Sequence, residues 1–255
     1  MALLEVENLG VSFGGIKSVS DFNFKVNNNE LVGLIGPNGA GKTTVFNLLT
    51  GVYTPSSGSI KVDGNSIVKK QPYQIVEQGI TRTFQNIRLF KSMTVLENVK
   101  TAFHHHKKYS ALDSLLRTRK YKKIEAEIEK KSYELLKIFN MENIADKVSN
   151  NLSYGQQRKL EIVRALAGKP RLLLLDEPAA GMNPNETKEL METIKMIQEK
   201  LNTSILLIEH DMSLVMGICK RIIVINYGKK IAEGTAKEIQ NNKKVIAAYL
   251  GSQEV

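Results

Sequence analysis

The sequence has one cysteine, Cys219. A lone cysteine excludes a disulfide framework. It lies in the apolar run 214–219 and reads as a buried core thiol. No apolar stretch approaches the roughly 18 residues that a membrane-spanning helix needs. The opening Met1-Ala2-Leu3-Leu4-Glu5 lacks the basic region of a signal peptide. The expectation is a soluble protein of a reducing cytoplasm. Tandem repeats, low-complexity tracts and flexible interdomain linkers are also missing. Acid is in short supply: Asp and Glu number 26 against 36 Lys and Arg, for a net charge of +10. That excess suits an anionic partner: nucleic acid, a phosphorylated small molecule or an anionic membrane surface. A lysine-rich composition without any such partner is the alternative.

What is present is an ordinary globular balance: 255 residues, 42% apolar and 24% charged. A chain of this length buries roughly three quarters of its unfolded surface. Short β-branched apolar runs alternate with helical patterns. Residues 22–26 predict an edge or hairpin strand, and 31–35 a buried one ending at Gly36. Residues 43–49 are helical. The strand 59–62 runs into the turn Asp63-Gly64. Runs 172–175 and 204–208 are continuously apolar, as in a parallel sheet covered on both faces. Residues 221–225 give another strand, and Pro184 opens a helix over 185–201. Thr235 and Glu238 form a capping box before the last helical segment. The fold class is α/β, with a mainly parallel core sheet and an antiparallel N-terminal part.

Residues 86–165 differ. They show no convincing strand. Thr94 and Glu97 form a capping box, and 120–139 are helical and densely charged. This predicts a single domain, 1–255, with a helical subdomain at about 86–165 inserted in it.

Gly36-Pro37-Asn38-Gly39-Ala40-Gly41-Lys42-Thr43 fits G-x-x-x-x-G-K-[ST], between a buried strand and a helix. Glycines let consecutive N–H groups turn inward around phosphates, and the helix N-terminus adds positive potential. Lys42 would reach the β- and γ-phosphates, Thr43 would ligate Mg²⁺, and Thr44 completes the cradle. The pattern arises by chance in roughly one chain in a hundred of this length. Residues 172–175 end in Asp176-Glu177, and such strand ends sit at the ligand crevice of an open sheet. Asp176 would hold Mg²⁺. Glu177, one residue on, would polarise the attacking water. The guanine-reading Asn-Lys-x-Asp is missing, its nearest match being Asn242-Lys243-Lys244-Val245, which argues against a GTPase.

Leu152-Ser153-Tyr154-Gly155-Gln156-Gln157 precedes a periodic helix at 158–167. Ser153 and the Gly155 N–H, with Gln156, offer a second anion site at a helix N-terminus. This string resembles the signature of ABC-type ATPases, commonly L-S-G-G-Q. Other motifs of that family follow in order. Gln85 matches the glutamine that senses Mg²⁺ and the attacking water, and His210 the switch histidine that contacts the γ-phosphate. Ala180-Gly181-Met182-Asn183 matches the D-loop with Asn in place of Asp. Phe13 stands where an aromatic residue stacks on adenine, or it is a core aromatic of the first strand.

The resemblance covers essentially the whole chain. It implies ATP and Mg²⁺ as ligands, and a head-to-tail dimer in which one signature closes over the partner's γ-phosphate.

A narrower resemblance is to the branched-chain amino-acid importer ATPases. It rests on Arg82-Thr83-Phe84-Gln85-Asn86-Ile87-Arg88-Leu89-Phe90, on Tyr154 and Asn183, and on Leu207-Ile208-Glu209-His210-Asp211-Met212. The 68-residue interval from Gln85 to Ser153 is similar to that of the longer-lobed of the two ATPases in such importers. This implies a peripheral subunit on the cytoplasmic face of the membrane. Its partners would be a second ATPase, permeases docked on the lobe near Arg88 and Phe90 and, indirectly, an extracytoplasmic binding protein. Rivals are an exporter or lipid-extraction ATPase of the same fold and a nucleic-acid-associated ABC ATPase. The second is disfavoured, because the chain has neither two cassettes nor a long coiled coil, so no nucleic acid is expected.

Within the insertion, residues 107–123 hold seven Lys or Arg against one Asp. They read as a solvated helix face or as a contact for anionic lipid headgroups. His104-His105-His106 point in successive helical directions and do not converge on a metal ion.

Overall fold

The structure, a computed structural model, describes residues 2–104 and 109–250. Two compact units form, Met1–Gln85 together with Arg171–Val255, and Asn86–Pro170. His105, His106, Lys107 and Lys108 of the histidine run and the basic cluster lie outside the described residues.

The first unit opens on a long hairpin, β1 (Ala2–Phe13) and β2 (Ile16–Asn27), closed by Gly14 and Gly15. β4 (Ser57–Val62) and the two-residue β5 (Asn65–Ser66) extend it to an antiparallel sheet of order β2-β1-β4-β5. β2 is an edge strand, six residues longer at its start than the apolar alternation at 22–26 marks.

The second sheet has the order β10-β9-β3-β8-β7-β6. Its centre is β3 (Leu31–Ile35), β8 (Ser204–Ile208) and β7 (Leu172–Asp176), each buried throughout and paired in parallel. β9 (Arg221–Asn226) continues the parallel set on one side, with the antiparallel edge strand β10 (Lys229–Gly234) beyond it. β6 (Ile80–Arg82) closes the other side.

Why continuous rather than alternating apolar runs occur at 172–175 and 204–208 follows from the layers. One face of this sheet, with Val32, Leu34, Leu172, Leu174, Leu206, Ile208, Ile223 and Ile225, shares a core with the antiparallel sheet and with α1 (Lys42–Leu49). On the other face, α8 (Met212–Ile218) comes so close that a Cβ on Gly33 would stand 3.2 Å from Cys219 Sγ and from Val215. α7 (Pro184–Lys200) packs beside α8. Cys219 is buried, and desolvation pushes its thiol pKa up to about 12. It is a core residue without nucleophilic character. The unit is completed by α2 (Pro72–Glu77), α9 (Ala236–Gln240) and α10 (Lys243–Leu250).

The second unit is helical. It contains α3 (Val95–Phe103), α4 (Ala111–Leu115), α5 (Arg119–Ile138) and α6 (Tyr154–Ala167). α3 packs on α5 and α6. Val95, Val99 and Phe103 of α3 are buried, as are Ile128 and Leu136 of α5. Among its described residues there is no strand, only an isolated bridge between Thr94 and Val148. α6 begins at Tyr154, four residues before the apolar periodicity, because Ser153 and Gln156 form a reciprocal capping box there.

Candidate active site

Strand order decides where the chemistry gathers. β3, β8 and β7 are parallel neighbours, so their carboxyl ends lie along one edge of the sheet. The chain leaves those ends as Gly36–Thr43, as Glu209-His210 and as Asp176-Glu177. Three stretches 32 to 174 residues apart in sequence thus meet in one crevice.

The loop after β3 is shaped by its glycines. A Cβ at Gly36 would lie 2.0 Å from the Ile225 carbonyl oxygen, and one at Gly41 2.8 Å from that of Ser18. Gly41 also has φ +107, a conformation that side chains disfavour. It is the N-cap of α1 and brings no side chain to the first-turn N–H groups. By contrast α3, α6, α7, α8 and α9 are closed by Thr94, Ser153, Asn183, Asp211 and Thr235. The start of α1 therefore keeps its orphan donors and its dipole for an anion. Lys42 is buried and its Nζ donates to the Gly36 and Pro37 carbonyls, at 2.7 and 2.9 Å. Desolvation lowers its pKa, opposed by Glu177 and Asp176. Ser18 stands beside the loop and shares a 3.0 Å hydrogen bond with Thr44. A cleft of about 350 Å³ runs from Asn38–Thr44 to Glu177 and His210.

At the end of β7 the two carboxylates have different surroundings. Asp176 is buried, and its Oδ2 accepts from Arg82 Nη2 at 2.6 Å. Glu177 has φ +46, so the chain turns sharply and its side chain leaves the direction of Asp176. Glu177 Oε2 accepts from Gln85 Nε2 at 2.7 Å, and Oε1 lies 2.7 Å from His210 Nε2. Glu177, Gln85 and His210, picked from separate motifs, are in direct contact.

Two residues escaped the sequence reading. Arg82 binds Asp176 and also donates to Asn47 Oδ1 at 2.6 Å, between the rings of Phe46 and Phe84. Glu209 is buried and accepts from the N–H groups of Ala179 at 2.6 Å and His210 at 2.9 Å. Burial raises its pKa. It ties the loop after β7 to the loop that carries His210. For Glu209 the sequence signal was charge abutting the apolar run 204–208, where burial demands a partner; Arg82, in a strand with a single apolar residue, carried no such signal.

Phe13 is 43% exposed at the end of β1, edge-on to Tyr53 at 4.9 Å between ring centroids. The core-aromatic alternative is thereby excluded. Asn183 Oδ1 caps α7 by accepting from the N–H groups of Asn185 and Glu186. Asn performs that task as well as Asp, so the replacement leaves the local structure intact.

Ser153, Gly155 and Gln156 belong to the second unit. Gln156 N–H donates to Ser153 Oγ at 3.3 Å. Below them Arg158 and Glu161 form a buried ion pair at 2.9 Å, and Glu161 Oε1 accepts from the Arg88 N–H. Asn98 binds both the N–H and the carbonyl of Phe90. Phe90 itself is exposed, under the Arg164 guanidinium. His104 lies 2.9 Å from Glu125, and no group of three metal-ligating side chains occurs among the described residues.

Fold and cleft define a phosphate-loop nucleoside triphosphatase with its acidic pair at the end of the neighbouring strand set. The ABC transporter family profile matches residues 19–180, and a branched-chain amino acid ATP-binding cassette transporter profile matches 229–255. The chain belongs to the ABC transporter family and is an ATPase of its type. It is 46% identical to the high-affinity branched-chain amino acid transport ATP-binding protein BraF of Pseudomonas aeruginosa, covering 98% of both chains. To LivG of Escherichia coli, described in the same words, it is 47% identical with the same coverage. The ADP conformation of MJ1267, an ATP-binding cassette of an ABC transporter, superposes with TM-score 0.85 at 31% identity, covering 98% of this chain and 99% of that one.

Proposed function

We propose that the chain is the ATP-hydrolysing subunit of a branched-chain amino-acid importer, peripheral to the membrane and docked on permease subunits. The observation that carries the catalytic half is the contact of Gln85 and His210 with Glu177 beside an uncapped phosphate loop. The 46–47% identity across nearly the full chain, together with the C-terminal profile match, supports the import half.

The loop N–H groups and Lys42 bind the β- and γ-phosphates, and Phe13 with Tyr53 offers the adenine a ring surface. Thr43 and Asp176 are hard oxygen donors of the kind Mg²⁺ prefers. Arg82 occupies one oxygen of Asp176 and leaves Oδ1 for the metal. Bound there, Mg²⁺ would neutralise phosphate charge. Glu177 takes the proton from water as its oxygen bonds to the γ-phosphorus, while the bond to the β-phosphate oxygen breaks to give ADP and phosphate. Its carboxylate must first release one of its two present partners. Gln85 and His210 then hold water and γ-phosphate in line. Ser153 and Gly155 serve the nucleotide on a second ATPase subunit, and Phe90 and Arg88 contribute to the permease socket.

The test is uptake of radiolabelled leucine by cells deleted for this chain. Wild-type protein should restore uptake, and Glu177→Gln, expressed to the same level, should not. Restored uptake of an unrelated solute but not of leucine, isoleucine or valine would overturn the substrate assignment.

A further inference from the structure

The lobe carries a surface that the ATPase cycle does not use. α4 has no buried residue, and Leu112, Leu115 and Leu116 are 63%, 79% and 66% exposed. Their i, i+3, i+4 spacing places them on one face. Exposed leucines scattered singly need no explanation; three on one helical face do.

The segment is nonetheless tightly built. Ser110 and Asp113 form a capping box, and Thr118 Oγ1 donates to Asp113 Oδ1 at 3.0 Å. Tyr109 lies edge-on to Tyr121 at 5.1 Å and donates to Glu125 at 2.6 Å. So α4 is fastened to α5 through polar and aromatic contacts, while its leucines face away from any core.

The charge beside it breaks a rule of helix design. The first five residues of α5 include Arg119, Lys120, Lys122 and Lys123 and no acid. Cations at a helix N-terminus oppose the macrodipole. Stability alone would favour Asp or Glu there. All four are exposed, as is Arg117. The nearby acids are engaged: Asp113 by Ser110 and Thr118, Glu125 by Tyr109 and His104. Both carboxylates keep their charge, but Arg117, Arg119, Lys120, Lys122 and Lys123 outnumber them, so the outward field is positive.

We infer that α4 and the start of α5 form a lipid-contact patch, in which Leu112, Leu115 and Leu116 enter the headgroup–acyl boundary of an anionic bilayer and Arg119, Lys120, Lys122 and Lys123 bind its phosphate headgroups. Apolar side chains flanked by cations are the makeup of interfacial membrane anchors. Nucleic acid would use the cations but leave the leucines idle. The patch would hold the lobe at the membrane independently of the permease socket, whatever solute the transporter carries.

The test is flotation of the purified full-length chain with vesicles, compared between phosphatidylcholine alone and phosphatidylcholine with roughly 30% phosphatidylglycerol. Wild type should float with the anionic vesicles only, and lose binding as salt rises. The triple variant Leu112→Ser, Leu115→Ser, Leu116→Ser should bind roughly tenfold more weakly with an unchanged melting temperature, since none of the three is buried. Charge reversal at Lys120, Lys122 and Lys123 to Glu should abolish flotation. No flotation of wild type, or flotation equal in wild type and the leucine variant, would overturn the proposal. Wild-type RNA binding that survives the leucine changes, with no vesicle binding, would reassign the cations to nucleic acid and also overturn it.

Discussion

Arg82 and Asp176 form an ion pair at 2.6 Å, with side chains only 6% and 4% exposed. The pair joins β6 to the carboxyl end of β7. Through Asn47 the same guanidinium reaches α1, the helix that follows the phosphate loop. One buried cation thus ties the orientation of the acidic pair to the loop that binds phosphate.

Removing that cation should be costly. Arg82→Met keeps apolar bulk between Phe46 and Phe84 but leaves the Asp176 carboxylate buried without its partner. Breaking a buried pair from one side costs about 3–5 kcal/mol. Urea unfolding should show a correspondingly lower midpoint. A midpoint equal to wild type would mean that Asp176 is adequately solvated without Arg82.

Lys42→Ala should weaken ATP binding itself. A hydrogen bond to a charged group contributes roughly 1.5–3 kcal/mol, or about ten- to a hundredfold in Kd. Titration with a fluorescent ATP analogue measures this. Affinity equal to wild type would contradict the assignment of the loop.

Glu209 supplies a pH test. Burial raises its pKa above the ordinary 4.5. The folded state therefore holds this proton more tightly than the unfolded chain does. Its contribution is fully present below pH 4.5 and is lost as pH rises through the raised folded value. Paired carboxylates such as Glu30 and Glu233 are shifted down, and their effect falls below that window. From pH 4.5 upward, wild type should lose stability relative to Glu209→Gln. Parallel stability curves for the two proteins in denaturant titrations would remove Glu209 as the cause.

These residues also mark what the sequence made legible. The buried strands at 31–35, 172–175 and 204–208 announced themselves by unbroken apolar runs, and the phosphate loop by glycines that only a close backbone approach requires. β6 and β10 left little trace. Ile80-Thr81-Arg82 and Lys229–Gly234 are short or polar edge strands, held by pairing to a neighbour rather than by a hydrophobic pattern. What Arg82 and Glu209 bind could not be read from the sequence, because their partners, Asp176 and the Ala179 N–H, lie 94 and 30 positions away. Such pairings exist only once the strand order is known.

The signature in the second unit is open to complementation. Ser153→Arg should leave nucleotide binding near normal and hydrolysis low, because in the proposed head-to-tail dimer the altered side chain would face the nucleotide of the other subunit. Mixed with Lys42→Ala protein, it should regain activity through the one composite site that keeps both Lys42 and Ser153. Steady-state phosphate release from the mixture should exceed the sum of the two variants alone. Full activity of Ser153→Arg by itself would contradict a signature acting across subunits.

The most direct measurement of the account is single-turnover ATP hydrolysis by Glu177→Gln beside wild type. The amide preserves shape and can still contact Gln85 and His210, but it has no carboxylate to take the proton from water. ATP should bind with wild-type affinity, turnover should fall by about 10²–10⁴-fold, and the ATP-bound dimer should accumulate in size-exclusion chromatography with light scattering. Hydrolysis at the wild-type rate, with binding intact, would remove Glu177 from the base role and with it the central claim that the contact with Gln85 and His210 is the catalytic centre.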